Sequence, residues 1–312
     1  MEARIMRSAQ RVFDCELVES KREIQAKAHG KLLKGADLVV GDFVIIEESS
    51  VTGEYEIISR NQRNSEIFRF ISRERKKKTI AANIDYMAIV CSYENPVFKR
   101  GLIDRYLLRA NQWNCLPIVI FNKFDIAFEK SIKQIEFEKD VLESLEVPYF
   151  ILSAIDTENH SDDFKRLKEK ILNKSLIFLG QSGVGKSSLI SSLTDGRVDL
   201  KTKAIGKIGK GTHTTTWSEI IDCENFSLVD SPGIRSFSLN DLLAEEVEEL
   251  FEDLTPLFLQ CKFNNCKHEH TSSGCAVYNH ESPVVQARFE SYKRFMAEVS
   301  EEAGWLKKKN RG

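Results

Sequence analysis

Long apolar runs are missing from this chain of 312 residues. No stretch approaches the roughly 20 consecutive apolar residues of a membrane span, so membrane-embedded functions are excluded and no membrane partner is expected. No leader is expected in the opening residues either. The opening MEARIMRSAQRVFDCELVES has no apolar core and no small-residue cleavage site, so it does not read as a signal peptide. Excess charge of one sign is also lacking: 45 Lys and Arg stand against 47 Asp and Glu, a formal net charge of −2. That average conceals local basic patches and leaves an RNA partner open. Cysteines are few, and three of the seven cluster with histidines near the C-terminus, which points to a reducing cytoplasmic setting and a metal site rather than disulfides. Hydrophobic residues at 42% and charged residues at 29% are those of an ordinary soluble protein, long enough for two or three domains.

What is present centres on Gly180–Ser188, GQSGVGKSS, directly after the apolar run Ser175–Leu179. Gly, four residues, Gly-Lys-Ser, between a buried strand and a helix predicted over Lys186–Leu193, is the setting of a phosphate-binding loop. Gly180, Gly183 and Gly185 let successive N–H groups converge on phosphate oxygens with no Cβ in the way, along with Gln181, Ser182, Val184 and Ser188 of the same loop. The helix N-terminus adds partial positive charge. Lys186 is expected to reach the β- and γ-phosphates and Ser187 to ligate Mg²⁺. The bland alternative is a glycine-rich turn before a helix, and the flanking strand and helix weigh against it.

From Ile80 to Leu239 strands and helices alternate, the mark of a parallel α/β sheet. Strands are predicted at Tyr86–Ser92, Pro117–Phe121 and Pro148–Leu152, with helices over Leu102–Trp113, Ser131–Leu145 and Asp163–Leu172. The second strand delivers Asn122-Lys123-Phe124-Asp125 and the third Ser153-Ala154 at their carboxyl ends, where ligands gather in such sheets. Guanine presents two donors on one edge, and the Asp125 carboxylate accepts both. Adenine turns an acceptor toward it, a mismatch on the order of a thousandfold in preference. The Lys123 stem lies along the base plane, Asn122 ties the loop to its neighbours, and the Ser153-Ala154 backbone donates to guanine O6. NKxD alone is a weak signal; beside a phosphate loop it favours GTP over ATP. Further on, Phe226–Val229 ends on Asp230-Ser231-Pro232-Gly233, which suits a Mg²⁺-side Asp and a γ-phosphate-sensing turn at Gly233. Gly211–Thr216 offers hydroxyls, Thr215 among them, to complete the metal shell, although Thr-rich segments also simply lead into strands.

The order of these parts is unusual. Most GTPases begin with the phosphate loop and end with the guanine-reading loops; here residues 122–125 and 153–154 precede 180–188. A circular permutation preserves the packing. It sends the chain from the Asp230 turn straight into the next domain.

Residues 1–79 show short alternating runs at Arg11–Val18, Ile24–Ala28, Asp42–Glu47, Tyr55–Ser59 and Ile67–Ile71, separated by turn signals. Five strands in about 80 residues make an oligonucleotide-binding (OB) type barrel the economical fold. Lys31, Lys34, Arg60, Arg63 and Arg69 line an RNA-binding face or are scattered surface charge. The run RERKKKT at 73–79 is a solvated linker or a phosphate-contacting strap. Beyond a helix over Asp241–Leu254, Cys261, Cys266, His268 and Cys275 supply three thiolates and an imidazole, a tetrahedral set for structural zinc, with His270 as the alternative imidazole and His280 at the surface. A charged helix from Pro283 to Trp305 and a basic terminus, Lys307–Arg311, follow.

Permuted GTPase loops, a barrel-like start and a C-x4-C-x-H-x6-C knot resemble the ribosome small-subunit-dependent GTPase A family over nearly the whole chain, including AANID (81–85), IDRYL (103–107), HTTT (213–216) and DSPGIRSF (230–237). The resemblance implies a multidomain chain: an OB-like β-barrel over 1–79, a circularly permuted α/β P-loop GTPase domain over 80–239 and an α-helical zinc-binding domain over 240–312. It implies a monomeric GTP hydrolase (GTP to GDP, with Mg²⁺ and one Zn²⁺) in late maturation of the small ribosomal subunit, stimulated by that subunit and gripping its rRNA. Thr212 departs from the Arg expected before HTTT. Ile234 stands where many GTPases place a water-orienting Gln, so catalytic help is expected from His213 beside Thr215, with Lys186 on the phosphates. The competing class is a nucleotide-gated RNA- or protein-binding module with little hydrolysis.

Overall fold

A computed structural model of the chain describes residues 1–9, 12–28, 37–50, 53–71, 76–198, 218–230, 242–268 and 274–309. Lys31, Lys34, residues 201–217 with His213 and Thr215, the Ser231–Gly233 turn, Ile234 and His270 lie outside these.

The N-terminal part closes into a five-stranded barrel of β1 (Glu2–Ala9), β2 (Val12–Leu17), β3 (Glu23–Ala28), β4 (Phe43–Glu48) and β5 (Tyr55–Arg60), in the order β1-β2-β3-β5-β4 with β4 returning to β1. The closing contact between β3 and β5 is parallel, and the other barrel pairs are antiparallel. Alternate side chains fill the interior: Ala3, Ile5, Phe13, Cys15, Ile24, Ala26, Val44, Ile46 and Ile57 are buried. The fully buried Asp42 holds the β4 entrance. Its carboxylate accepts from Val39 N–H at 2.8 Å and from Arg63 at 2.7 and 2.9 Å.

Two sequence expectations need correcting here. The barrel takes β1, which the strand pattern did not indicate, and leaves out Ile67–Ile71. That segment, as β6 (Glu66–Ile71), forms a separate hairpin with β7 (Lys76–Ala82). The second half of the basic run is therefore strand rather than linker. Lys77 lies over the Phe68 ring at 4.6 Å, so the lysine stem supports the ribbon while the charge stays outside.

Strands β8 (Tyr86–Ser92), β9 (Leu116–Asn122), β10 (Tyr149–Ile151), β11 (Ser175–Leu179), β12 (Glu219–Asp222) and β13 (Ser227–Asp230) form the central sheet, in the order β10-β9-β8-β11-β13-β12. Its pairs are parallel except the antiparallel β12–β13. Every residue of β8 and β11 is buried, as expected of strands covered on both faces. Helices α1 (Arg100–Trp113) and α2 (Glu129–Ser144) pack on one face, α3 (Ser161–Ile171) and α4 (Lys186–Leu193) on the other. In α3, Phe164, Leu167 and Ile171 form one apolar stripe. Helix α1 stops at Asn114, whose left-handed backbone (φ 55°) returns its N–H to the Ala110 carbonyl. β1 also joins this sheet, pairing Arg7 with Glu219 of β12.

The single helix expected over Asp241–Leu254 is instead a short α5 (Ala244–Glu249) followed by α6 (Thr255–Phe258). The long α7 (Pro283–Lys309) packs on α5 and α1 around Phe251, Val277, Phe289, Tyr292 and Phe295. Among the described residues, no helix is long and apolar enough to cross a membrane.

Candidate functional site

The carboxyl ends of β8, β9, β10, β11 and β13 bring the sequence-predicted loops into one place. The phosphate loop leaves β11 at Gly180, whose φ of +147° and proximity to β8 demand glycine: a Cβ there would sit 2.2 Å from the Val90 carbonyl oxygen. The loop enters α4 through Gly185 at φ +94°, where a Cβ would lie 2.4 Å from Asn122 Nδ2. These two positions leave the loop backbone bare and pressed against its neighbours, as a cradle for phosphate requires. Lys186 Nζ donates to the Gly180 and Gln181 carbonyls at 2.8 Å each, so the ammonium lies across the loop. Ser187 and Ser188 occupy the first turn of α4.

Asn122 is the tie between loops. It is 1% exposed, its Nδ2 donates to the Val184 carbonyl at 2.9 Å, and its Oδ1 accepts from the Ala154 N–H at 2.9 Å. One side chain thus joins the phosphate loop, the NKFD loop and the Ser153-Ala154 loop. The Ala154 amide of the Ser153-Ala154 segment, whose backbone is expected to meet guanine O6, donates to Asn122 in this structure. The Ser153 hydroxyl donates to Asp125 Oδ1 at 2.5 Å and orients that carboxylate at an exposed rim. Ionised carboxylate oxygens offer about four lone-pair sites, so acceptor capacity remains for a guanine edge. Lys123 takes a left-handed backbone (φ 67°) and donates to the Asn95 carbonyl at 2.6 Å. Phe124 meets Tyr93 and His160 edge-on at 5.3 and 5.0 Å. Asp230 ends β13, two strands from β8 and next to β11. The structure therefore brings residues 122–125, 153–154, 180–188 and 230 together, while Thr215, His213 and Gly233 fall outside the described residues. Asn95 was missed, although an Asn-Pro dipeptide at a strand's carboxyl end is a loop signal.

The second candidate site lies under α7. Cys261, Cys266, His268 and Cys275 place one ligand atom each within 4.8 Å of one another. Cys261 Sγ and Cys275 Sγ stand 3.6 and 3.5 Å from His268 Nδ1 and 4.0 Å apart. A zinc tetrahedron has S–S edges of about 3.8 Å and S–N edges of about 3.5 Å, so the four fit one ion. Burial lowers the His268 pKa and favours the neutral imidazole that binds metal. The ring stacks on Phe258 at 4.3 Å, which fixes its plane.

The basic residues divide. Arg63 is bound to Asp42 and is a structural residue of the barrel, whereas Arg69 faces Lys78 across the exposed part of the β6–β7 hairpin.

Comparison with known proteins agrees with this geometry. The sequence profile of the RsgA GTPase family matches residues 60–240. The small ribosomal subunit biogenesis GTPase RsgA of Ectopseudomonas mendocina is 35% identical over 269 residues, covering 85% of this chain and 76% of that protein. Its namesake in Porphyromonas gingivalis is 33% identical over 294 residues, covering 90% and 91%. The crystal structure of YjeQ from Thermotoga maritima superposes with a TM-score of 0.75 at 24% identity, covering 96% of this chain and 98% of that one. YloQ, described as a circularly permuted GTPase, gives 0.71 at 23%, covering 96% and 95%. With its loops permuted around one phosphate cradle and its profile match spanning the central sheet, the chain belongs to the RsgA GTPase family.

Proposed function

We propose that this protein is a GTP hydrolase acting in small-subunit maturation, with hydrolysis stimulated by the subunit. The observation that carries the reading is Asn122, which locks the guanine-reading loops to the phosphate loop through two buried hydrogen bonds. Asp125, oriented by Ser153, selects guanine; Gly180–Ser188 wraps the phosphates, and Lys186 offsets their charge. Ser187, with Thr215 and the Asp230 side, would hold Mg²⁺, which neutralises charge on the β- and γ-phosphates. Catalysis of this kind rests on positioning rather than strong bases. His213 is our candidate for orienting the attacking water.

The zinc ligands would hold one structural ion with no open position, supplying folding energy rather than chemistry. The N-terminal unit with its barrel (1–79), the GTPase unit (80–239) and the zinc unit (240–312) act as three working parts of a cytoplasmic monomer. Its rRNA contacts include the exposed Arg69, Lys76 and Lys78 of the β6–β7 hairpin, where each phosphate neutralised adds salt-sensitive affinity. Turnover of GTP with and without small subunits tests the reading. Stimulation well above tenfold supports it, and tight GTP binding with no stimulated turnover would favour the nucleotide-gated binding module instead.

A further inference from the structure

The IDRYL segment, residues 103–107, carries no role in the proposed function, yet its Asp104 and Arg105 meet α7 while Tyr106 turns toward the sheet. Asp104 is 2% exposed, and its carboxylate accepts from Arg288 at 2.6 Å, from Arg100 at 3.0 Å and from the Ser291 hydroxyl. Arg288 extends the cluster by forking onto Asp253 at 2.8 and 2.9 Å. Burial lowers the Arg288 pKa, but its bonds to Asp253 and the charges of Asp104 and Asp253 raise it further, so it stays charged. Arg105 pairs with Glu298 at 2.8 Å, and Arg100 donates to the Ala287 carbonyl at 2.9 Å. The Arg294 side chain of α7 lies over Gly101, where a Cβ would sit 2.5 Å from its guanidinium. One face of α1 is therefore fastened to α7.

One residue further on, a helix turns by about 100°. Tyr106 points toward the sheet, 4% exposed, and its hydroxyl oxygen is hydrogen-bonded by the backbone of Gly180, the first residue of the phosphate loop. Burial pushes this phenol up to about 12, so it remains protonated. The segment leading into α1 also touches the site, since the Asn95 carbonyl receives Lys123 Nζ. A buried ionic cluster is a poor source of net stability, because apolar side chains of equal volume do as well. What its bonds do is tie Arg288 and Ser291 of α7 to Asp104 of α1.

We propose that Tyr106 is a positioning residue for the phosphate loop and that the Asp104–Arg288 cluster makes α7 a second support of the nucleotide site, so that guanine-nucleotide occupancy and the seating of α7 are coupled. The proposal rests on the guanine-nucleotide reading of the site. Coupling of this kind is reciprocal: nucleotide tightens α7, and a loosened α7 weakens nucleotide binding by the same factor.

The test uses the full chain with GDP as the probe, read by amide hydrogen exchange over α7 residues 284–300 and by titration with a fluorescent GDP analogue. In the wild-type chain GDP is expected to slow exchange across α7. Tyr106→Phe removes one hydroxyl from a ring-shaped space. It is expected to weaken GDP binding about five- to tenfold, the worth of one hydrogen bond, and to abolish most of the α7 response while leaving exchange without GDP unchanged. Ser291→Ala, on α7 and away from every nucleotide loop, is expected to weaken GDP binding about two- to fivefold. A wild-type α7 indifferent to bound GDP overturns the inference alone, as does a response of full size in Tyr106→Phe. Failure of the chain to bind GDP at all overturns the guanine reading and this inference with it.

Discussion

Asn122→Ala is the sharpest probe of the nucleotide site. Truncation leaves the Val184 carbonyl and the Ala154 N–H without the partner each now has at 2.9 Å, in a place where Asn122 itself is 1% exposed. Each orphaned buried group costs about 1–3 kcal/mol, so the variant should lose about 2–6 kcal/mol against a typical total of roughly 5–15 kcal/mol. The loss falls on both loops at once. The same variant should bind GDP at least about tenfold more weakly, because the guanine-reading and phosphate loops are no longer held in register. Urea unfolding followed by far-ultraviolet circular dichroism gives the first quantity, and fluorescent-GDP titration the second. A stability loss below about 1 kcal/mol would show that water replaces the side chain. Full stability loss with unchanged affinity would refute the argument that this tie organises the site.

Four further outcomes are expected. Asp125→Asn should move preference from GTP toward xanthosine triphosphate in competition binding, and unchanged GTP affinity counts against the guanine assignment. His213→Ala should lose most subunit-stimulated hydrolysis while retaining nucleotide binding; full stimulated turnover removes His213 from catalysis. A chelator should release one equivalent of zinc, measurable with a chromophoric indicator, and open the core around Val277 and Phe251 to protease. Burial, opposed by Arg100 and aided by Asp104, raises Glu138 from 4.5 to about 7. A carboxyl raised on folding contributes fully below its unfolded value, and that contribution fades as pH rises through about 7. Wild type should therefore lose up to about 3 kcal/mol relative to Glu138→Gln between pH 4.5 and 7. A flat difference in urea midpoints would contradict the burial argument.

Much of the site was legible because its chemistry is local. Ser175–Leu179, Gly180–Ser188 and Asn122–Asp125 each declare themselves within ten residues, and the boundaries of β8, β11 and α4 matched those read from the sequence. The misses have physical causes. Strand β1 escaped notice because its pairing register shifts between Ile5 and Arg7, which breaks the period of two. Lys76–Lys78 read as linker because charge outweighs strand propensity until Ile71 and Phe70 lie opposite Lys76 and Lys77. The helix expected over Asp241–Leu254 breaks near Phe251–Leu254, where Asp253 meets Arg288. The role of Asp104 has no local signature, since its partner Arg288 lies 184 residues away.

The pairing of Arg7 with Glu219 has a consequence for solubility. A twisted sheet ends in strands whose unpaired amides invite another copy, and the four-residue β12 would be such an edge. β1 caps its first residue, Glu219, where an ion pair of 2.7 Å adds to the strand pairing, while the opposite margin, β10, is three residues long and offers little to pair with. A fragment lacking residues 1–60 would bare β12 and should associate with itself in light scattering, where the full chain stays dispersed.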